Sequence, residues 1–253
     1  MGTSLGTGIG IGLGGGRRAV SPRTIAGSKL ALWLRADRGI TGSSNVSTWA
    51  DQSGNGRDFT QGTLSKRPDF TAAIIGGKPA IYFNGTSDIL DGPSFATIAA
   101  IGSAEMHAVM LRAEDPPTAL NGYGGTWRLG SPTATEDFYP NSADGKIYAG
   151  FMSSARKSTN VVKGAAYFEE PRIVSCLSAA GEWTMWLDGT QEYTTATNTV
   201  AGSTSAIGGA PETPGVRMYG WIAEVIIFAP VLTSGERAAV LDYLGGRYGI
   251  TVP

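Results

Sequence analysis

Residues 220–250, GWIAEVIIFAPVLTSGERAAVLDYLGGRYGI, place a strand that is too apolar for a protein surface directly before one capped amphipathic helix. Ile222, Val225, Ile226, Ile227 and Phe228 form a nearly continuous β-branched and aromatic run, which predicts a strand with apolar neighbours on both faces. Thr233 and Glu236 have the spacing of a capping box, in which a hydroxyl and a carboxylate satisfy N–H groups that the first helical turn leaves unpaired. Gly245 and Gly246 are expected to end the helix, because glycine enters the left-handed conformation without a Cβ clash.

The rest of the chain reads as short strands and turns. Glycines recur at 54, 56, 76, 85, 92, 124, 130, 145, 164, 181, 189, 202 and 208, a spacing that suits two packed antiparallel sheets. The clearest hairpin spans 172–195, where Ala180-Gly181 and Asp188-Gly189 break alternating strands. Trp183, Met185 and Leu187 share one face of its middle strand, and Thr184, Trp186 and Asp188 the other. Residues 112–145, with four prolines among glycines and aromatics, are the least regular and are expected to form loops over one end or face. At 253 residues with 42% hydrophobic and only 16% charged residues, a single large all-β domain is expected.

Composition also removes several classes of function. The net charge is −1 and the basic residues are scattered, so no stripe matches a phosphate backbone and no nucleic-acid partner is expected. No window holds the roughly 18 uncharged apolar residues needed to span a bilayer. One cysteine, Cys176, excludes an internal disulfide framework, and its place in RIVSCL predicts a buried thiol.

The N-terminus is a separate problem. Residues 1–16 alternate glycine with Leu5, Ile9, Ile11 and Leu13, a pattern that buries too little area to offset the entropy lost on ordering. The segment reads either as a flexible tail or as an assembly arm that orders against a partner as an added strand. Arg17 and Arg18 follow its apolar part, the wrong polarity for a secretory signal. Residues 17–28 read as a linker, with Pro22 blocking helix and Arg17, Arg18 and Arg23 forming a small basic cluster.

Three blocks carry a family resemblance: LALWLRADRGI (30–40) with VSTWADQSGNGRDFTQ (46–61), KPAIYFNGTSDIL (78–90), and 220–250. In that order and spacing the chain resembles the laminin-G-like, concanavalin-A-like jelly-roll family. The resemblance implies an all-β, two-sheet antiparallel jelly-roll sandwich over residues 29–253, with one short C-terminal helix, preceded by the glycine-rich arm and linker 1–28. Such domains bind glycans or proteins, and similar ones occur in bacteriophage structural proteins and in bacterial surface or secreted proteins. The resemblance implies a non-catalytic module.

The residues agree with a non-catalytic reading. Glycosidases on this jelly roll set carboxylates on alternate residues of one strand, as E-x-D-x-E or E-x-D-x-x-E, and neither pattern is present. Glu136-Asp137 and Glu169-Glu170 are adjacent pairs, which point to opposite faces of a strand. The single histidine, His107, reads as a strand residue, and no G-x-S-x-G elbow exists. One Cys and one His fall far short of a four-ligand set, which disfavours zinc. Asp51, Asn55 and Asp58 share one turn and are the candidate calcium ligands, against the alternative that they shape the turn by bonding its backbone. Candidate sugar-stacking rings are Tyr123, Trp127, Tyr139 and Trp186, whereas Trp33, Trp49, Trp183 and Trp221 read as core.

Two functions follow as expectations. The first is a virion structural protein of a bacteriophage, located on the particle and held to other virion proteins by Leu5, Ile9, Ile11, Leu13, Arg17 and Arg18. It would be homo-oligomeric within the assembly and would adhere weakly to glycans. The second is a carbohydrate-binding module of an extracellular or cell-surface bacterial protein.

Overall fold

The computed structural model describes residues 20–113, 125–130, 138–140, 144–163, 165–209 and 217–253. With strands numbered in chain order, the large sheet runs β15 (Thr190–Thr195), β14 (Glu182–Leu187), β13 (Arg172–Ala179), β8 (Ser103–Arg112), β17 (Tyr219–Phe228), β6 (Lys78–Asn84) and β5 (Asp69–Ile75). Strand β1 (Leu30–Arg35) also pairs with β17. The second sheet runs β2 (Ile40–Thr41), β3 (Thr48–Trp49), β4 (Phe59–Thr60), β7 (Leu90–Gly92), β16 (Ser205–Ile207) and β9 (Trp127–Leu129). A smaller sheet holds β10 (Phe138–Pro140), β11 (Lys146–Ala149) and β12 (Lys157–Val162). All strand pairings that define these sheets are antiparallel, giving the expected all-β sandwich.

Alternation along β8 sorts side chains into two cores. Ala104, Met106, Ala108 and Met110 face the second sheet, where they meet Trp49, Phe59, Trp127 and Phe151 in the main core. Val109 and Leu111 face outward into a second core with Ile226, Phe228 and Trp33. That outer core is closed by α3 (Ser234–Tyr248), the helix that follows α1 (Pro22–Ala26) and α2 (Ala96–Ala99) in the chain, through Val240, Leu241, Leu244 and Tyr248, each burial contributing about 1.5–3 kcal/mol. Strand β17 is therefore apolar on both faces, as its sequence predicts.

The capping box forms as read: the Glu236 N–H donates to Thr233 Oγ1 at 3.2 Å, and the Thr233 N–H donates to Glu236 Oε2 at 2.7 Å. The helix does not end at Gly245-Gly246. It continues to Tyr248 and stops at Gly249, which is left-handed at φ 71°. Arg247 and Tyr248, beyond the two glycines, are anchored to the sheet, and that tertiary hold outweighs the helix-breaking cost of about 1 kcal/mol per glycine.

The expected linker also needs correcting. Ser21 caps α1 (Pro22–Ala26), and Pro22 occupies a first-turn position, where the missing N–H is not needed. Ala26 and Ile25 join the outer core, and Arg23 donates to the carbonyls of Gln52 and Ser53 at 2.8 and 3.0 Å. Residues 20–28 thus belong to the domain. The proposed arm contacts Leu5, Ile9, Ile11, Leu13, Arg17 and Arg18 lie outside the described residues.

Candidate functional site

The candidate calcium ligands bond their own turn and strand β1. Asp51 Oδ1 accepts from the Trp33 and Ser53 N–H groups, and its Oδ2 accepts from the Ser53 hydroxyl and the Arg57 N–H. Asp58 accepts from the Asp51 N–H at 2.8 Å, and the Asn55 amide donates to the carbonyls of Leu30 and Ala31. These bonds stitch the turn to β1. Both Asp51 oxygens are taken by N–H and O–H donors and do not fit a cation, and Asp58 gives its Oδ1 to the turn. Among the described residues no group of three or more His, Cys, Asp or Glu side chains could hold a metal ion.

The three described sugar-stacking candidates, Trp127, Tyr139 and Trp186, lie in three different sheets. Trp127 is completely buried in the main core. Trp186 is 9% exposed, with the Arg237 guanidinium 4.6 Å from its ring centre. Tyr139 lies on β10 opposite Tyr148, and Tyr123 falls outside the described residues. Trp127 is unavailable for stacking because it packs in the main core, and Trp186 because Arg237 of α3 covers it.

The structure assembles a different aromatic group. On the outer face of the large sheet Trp221 lies directly opposite Tyr82, with ring centres 5.0 Å apart, and Tyr219 packs edge-on to Tyr82 at 6.1 Å. All three rings are half-buried. Trp221 reads as core from its apolar run, yet it sits where α3 no longer covers the strand. Its indole N–H donates to Thr71 Oγ1 at 3.0 Å, which fixes the ring plane. Burial, with the Tyr219 hydroxyl second, pushes the Tyr82 phenol up to about 12. Nearby Asp88 is pushed up to about 6, chiefly by burial, although it accepts the Asn84 N–H at 3.0 Å.

Beside Trp221 opens a cleft of about 370 Å³ lined by Leu111, Arg112, Ala113, Glu169 and Trp221. Gly220 makes this geometry possible: it lies opposite Arg112 at φ 144°, and any Cβ there would strike the Leu111 carbonyl and the Arg112 backbone. Of the two adjacent glutamates read from the sequence, Glu169 lines the cleft and Glu170 pairs with Arg172 at 2.8 Å.

Elsewhere the fold brings Ser175, His107 and Glu105 into a row. His107 Nδ1 lies 2.8 Å from Ser175 Oγ, and Nε2 lies 3.2 Å from Glu105, which Arg237 also grips. These residue types resemble an acyl-transfer triad, but all three have no accessible surface and sit beneath the start of α3. A nucleophile without access to a substrate does not attack one, so the row holds helix to sheet.

The sequence matches no family model and no curated protein. Solved structures share the fold. Domain 4 of AbnA, an extracellular GH43 arabinanase from Geobacillus stearothermophilus solved with arabinotriose, aligns with a TM-score of 0.56 at 15% identity over 85% of this chain and 98% of that one. Trypanosoma rangeli sialidase in complex with sialic acid aligns at 0.59 and 14% identity over 87% of this chain, which spans 33% of the sialidase. The binding domain of Paraclostridial Mosquitocidal Protein 1 aligns at 0.56 and 10% identity, covering 86% of this chain and 52% of that one. At these identities the likeness establishes the fold.

Proposed function

We propose that this chain is a non-catalytic carbohydrate-recognition module whose binding surface is the Tyr82–Trp221–Tyr219 platform and the cleft beside it. The observation that carries the reading is the platform itself: half-buried rings on the bare end of a rigid sheet, next to a concavity with polar walls. Sugar rings stack on such faces, while Glu169 and Arg112 supply the hydrogen bonds that orient hydroxyls. The arabinanase domain solved with arabinotriose and the toxin binding domain support a recognition role for this sandwich. The sealing of the Ser175–His107–Glu105 row supports the absence of hydrolysis.

A place on a bacteriophage particle is the extended form of the proposal. It is supported by the glycine-rich sequence of residues 1–16, which suits an anchor better than an independent segment. Many copies on one particle turn weak single-site affinity into firm adhesion.

A glycan array probed with the full chain tests the reading. Binding to a defined set of glycans is expected, with loss of signal in Trp221→Ala and Tyr82→Ala chains that circular dichroism shows to be folded. Retained signal in both variants would move the binding surface elsewhere.

A further inference from the structure

We infer that the cleft beside Trp221 recognises the carboxylate of an acidic pyranose, a hexuronate or a sialic acid, and that Arg112 is the recognising group. The inference rests on the carbohydrate-binding reading above and specifies its ligand class.

Arg112 closes β8 and is only 7% exposed, yet it lines the cleft. Its Nε is sealed from solvent without a hydrogen-bond partner. Burial accordingly weighs against the charged form, and the partial compensation comes from Glu169 acting through space. Glu169 does not supply the bond that Nε lacks.

Nε is sealed from the cleft, so a ligand meets Arg112 through the side-chain atoms that line it. A guanidinium presents its donors as a planar fork that matches a carboxylate with two parallel bonds. Glu169 in the same cleft repels a second negative charge, so a monoanion suits the site better than a phosphate dianion. The Trp221 wall suits the apolar face of a pyranose, and Glu169 suits its hydroxyls. A cleft of about 370 Å³ lies within the usual range for small-ligand sites. Gly220 lets β17 close on the backbone of Arg112, which fixes where that side chain leaves β8.

Calorimetric titration of the full chain with two ligand pairs tests this. One pair is digalacturonate and its methyl ester, and the other is sialyllactose and lactose. The expected result is at least tenfold tighter binding of the acid in one pair, weakening with added salt, with the pair that responds distinguishing uronate from sialic acid. In Arg112→Gln the acid and its neutral partner should bind alike, at the neutral partner's wild-type affinity, whereas Trp221→Ala should weaken both. The ester comparison uses the unaltered chain and so stands even if Arg112→Gln fails to fold. Equal binding of acid and neutral partner, or an acid preference that survives in Arg112→Gln, overturns the assignment of Arg112 and leaves the module reading intact. Failure of all four sugars to bind, together with an empty glycan array, overturns both.

Discussion

One sheet face is treated in two opposite ways along its length. From Phe228 to Glu224, strand β17 lies beneath α3, and its polar groups are matched by named partners. From Trp221 to Tyr219 the same strand emerges from that cover with half-buried rings and a neighbouring guanidinium that lacks one bond. The covered part spends its chemistry on fastening the helix, whereas the end that α3 leaves uncovered sets three half-buried rings and Arg112 beside a cleft. The boundary is set by where the helix stops, at Gly249, close to the Gly76 turn that approaches the backbone of Tyr248.

Two glutamates fasten the covered part, and their environments differ. Glu224 accepts from Trp33 Nε1 at 2.6 Å, Tyr243 at 2.9 Å and Tyr248 at 2.7 Å, with Arg247 Nε 3.4 Å away. Burial nevertheless pushes its carboxyl up. Burial also opposes the charge on Glu105, but His107 and Arg237 hold that carboxyl below its ordinary value.

The largest effect should come from removing the Glu224 anchor. Glu224→Ala strands the Trp33 indole N–H, two phenols and a guanidinium, and should cost about 3–5 kcal/mol in urea unfolding. Trp221→Ala, on the bare end, should cost clearly less. Equal losses would erase the contrast between the two regions.

Next comes Asp88. Its folded pKa, near 6, is raised above the ordinary 3.8, so its contribution is complete below pH 3.8 and declines as the pH rises through 6. Asp88→Asn is expected to raise stability at pH 8 by roughly 1–3 kcal/mol and to leave it nearly unchanged at pH 3.5, as read by thermal melts at both values.

Glu105 has the opposite sign. Its lowered carboxyl stabilises the fold above the ordinary 4.5 and loses that contribution as the pH falls. Glu105→Gln should therefore flatten the acid limb of the stability profile. Removing the helix cap should have the smallest effect: Thr233→Ala is expected to cost about 1 kcal/mol and to leave glycan binding unchanged.

The sandwich was legible in the sequence because its signals are local. Alternation in 182–187, the Asp188-Gly189 turn and the Thr233–Glu236 box each specify geometry within a few residues. The site was not legible, because it depends on pairing between distant strands. Tyr82 and Trp221 meet only through the β6–β17 register, and nothing near Trp221 in the chain marks where α3 leaves the sheet uncovered. Trp186 reads as a candidate ring for the converse reason, since its cover, Arg237, arrives from the helix. Pro22 and Gly245-Gly246 misplaced element boundaries because capping and tertiary anchoring outweighed intrinsic preference.

The six tryptophans allow a direct measurement. Their indole N–H resonances can be followed by NMR while a glycan selected on the array is added to the full chain. The expected result is a saturable shift of the Trp221 resonance, assigned by Trp221→Phe, with the resonances of Trp33, Trp49, Trp127, Trp183 and Trp186 nearly still. A saturable shift at any of those five with Trp221 unmoved would contradict the placement of the site on the bare end of the sheet.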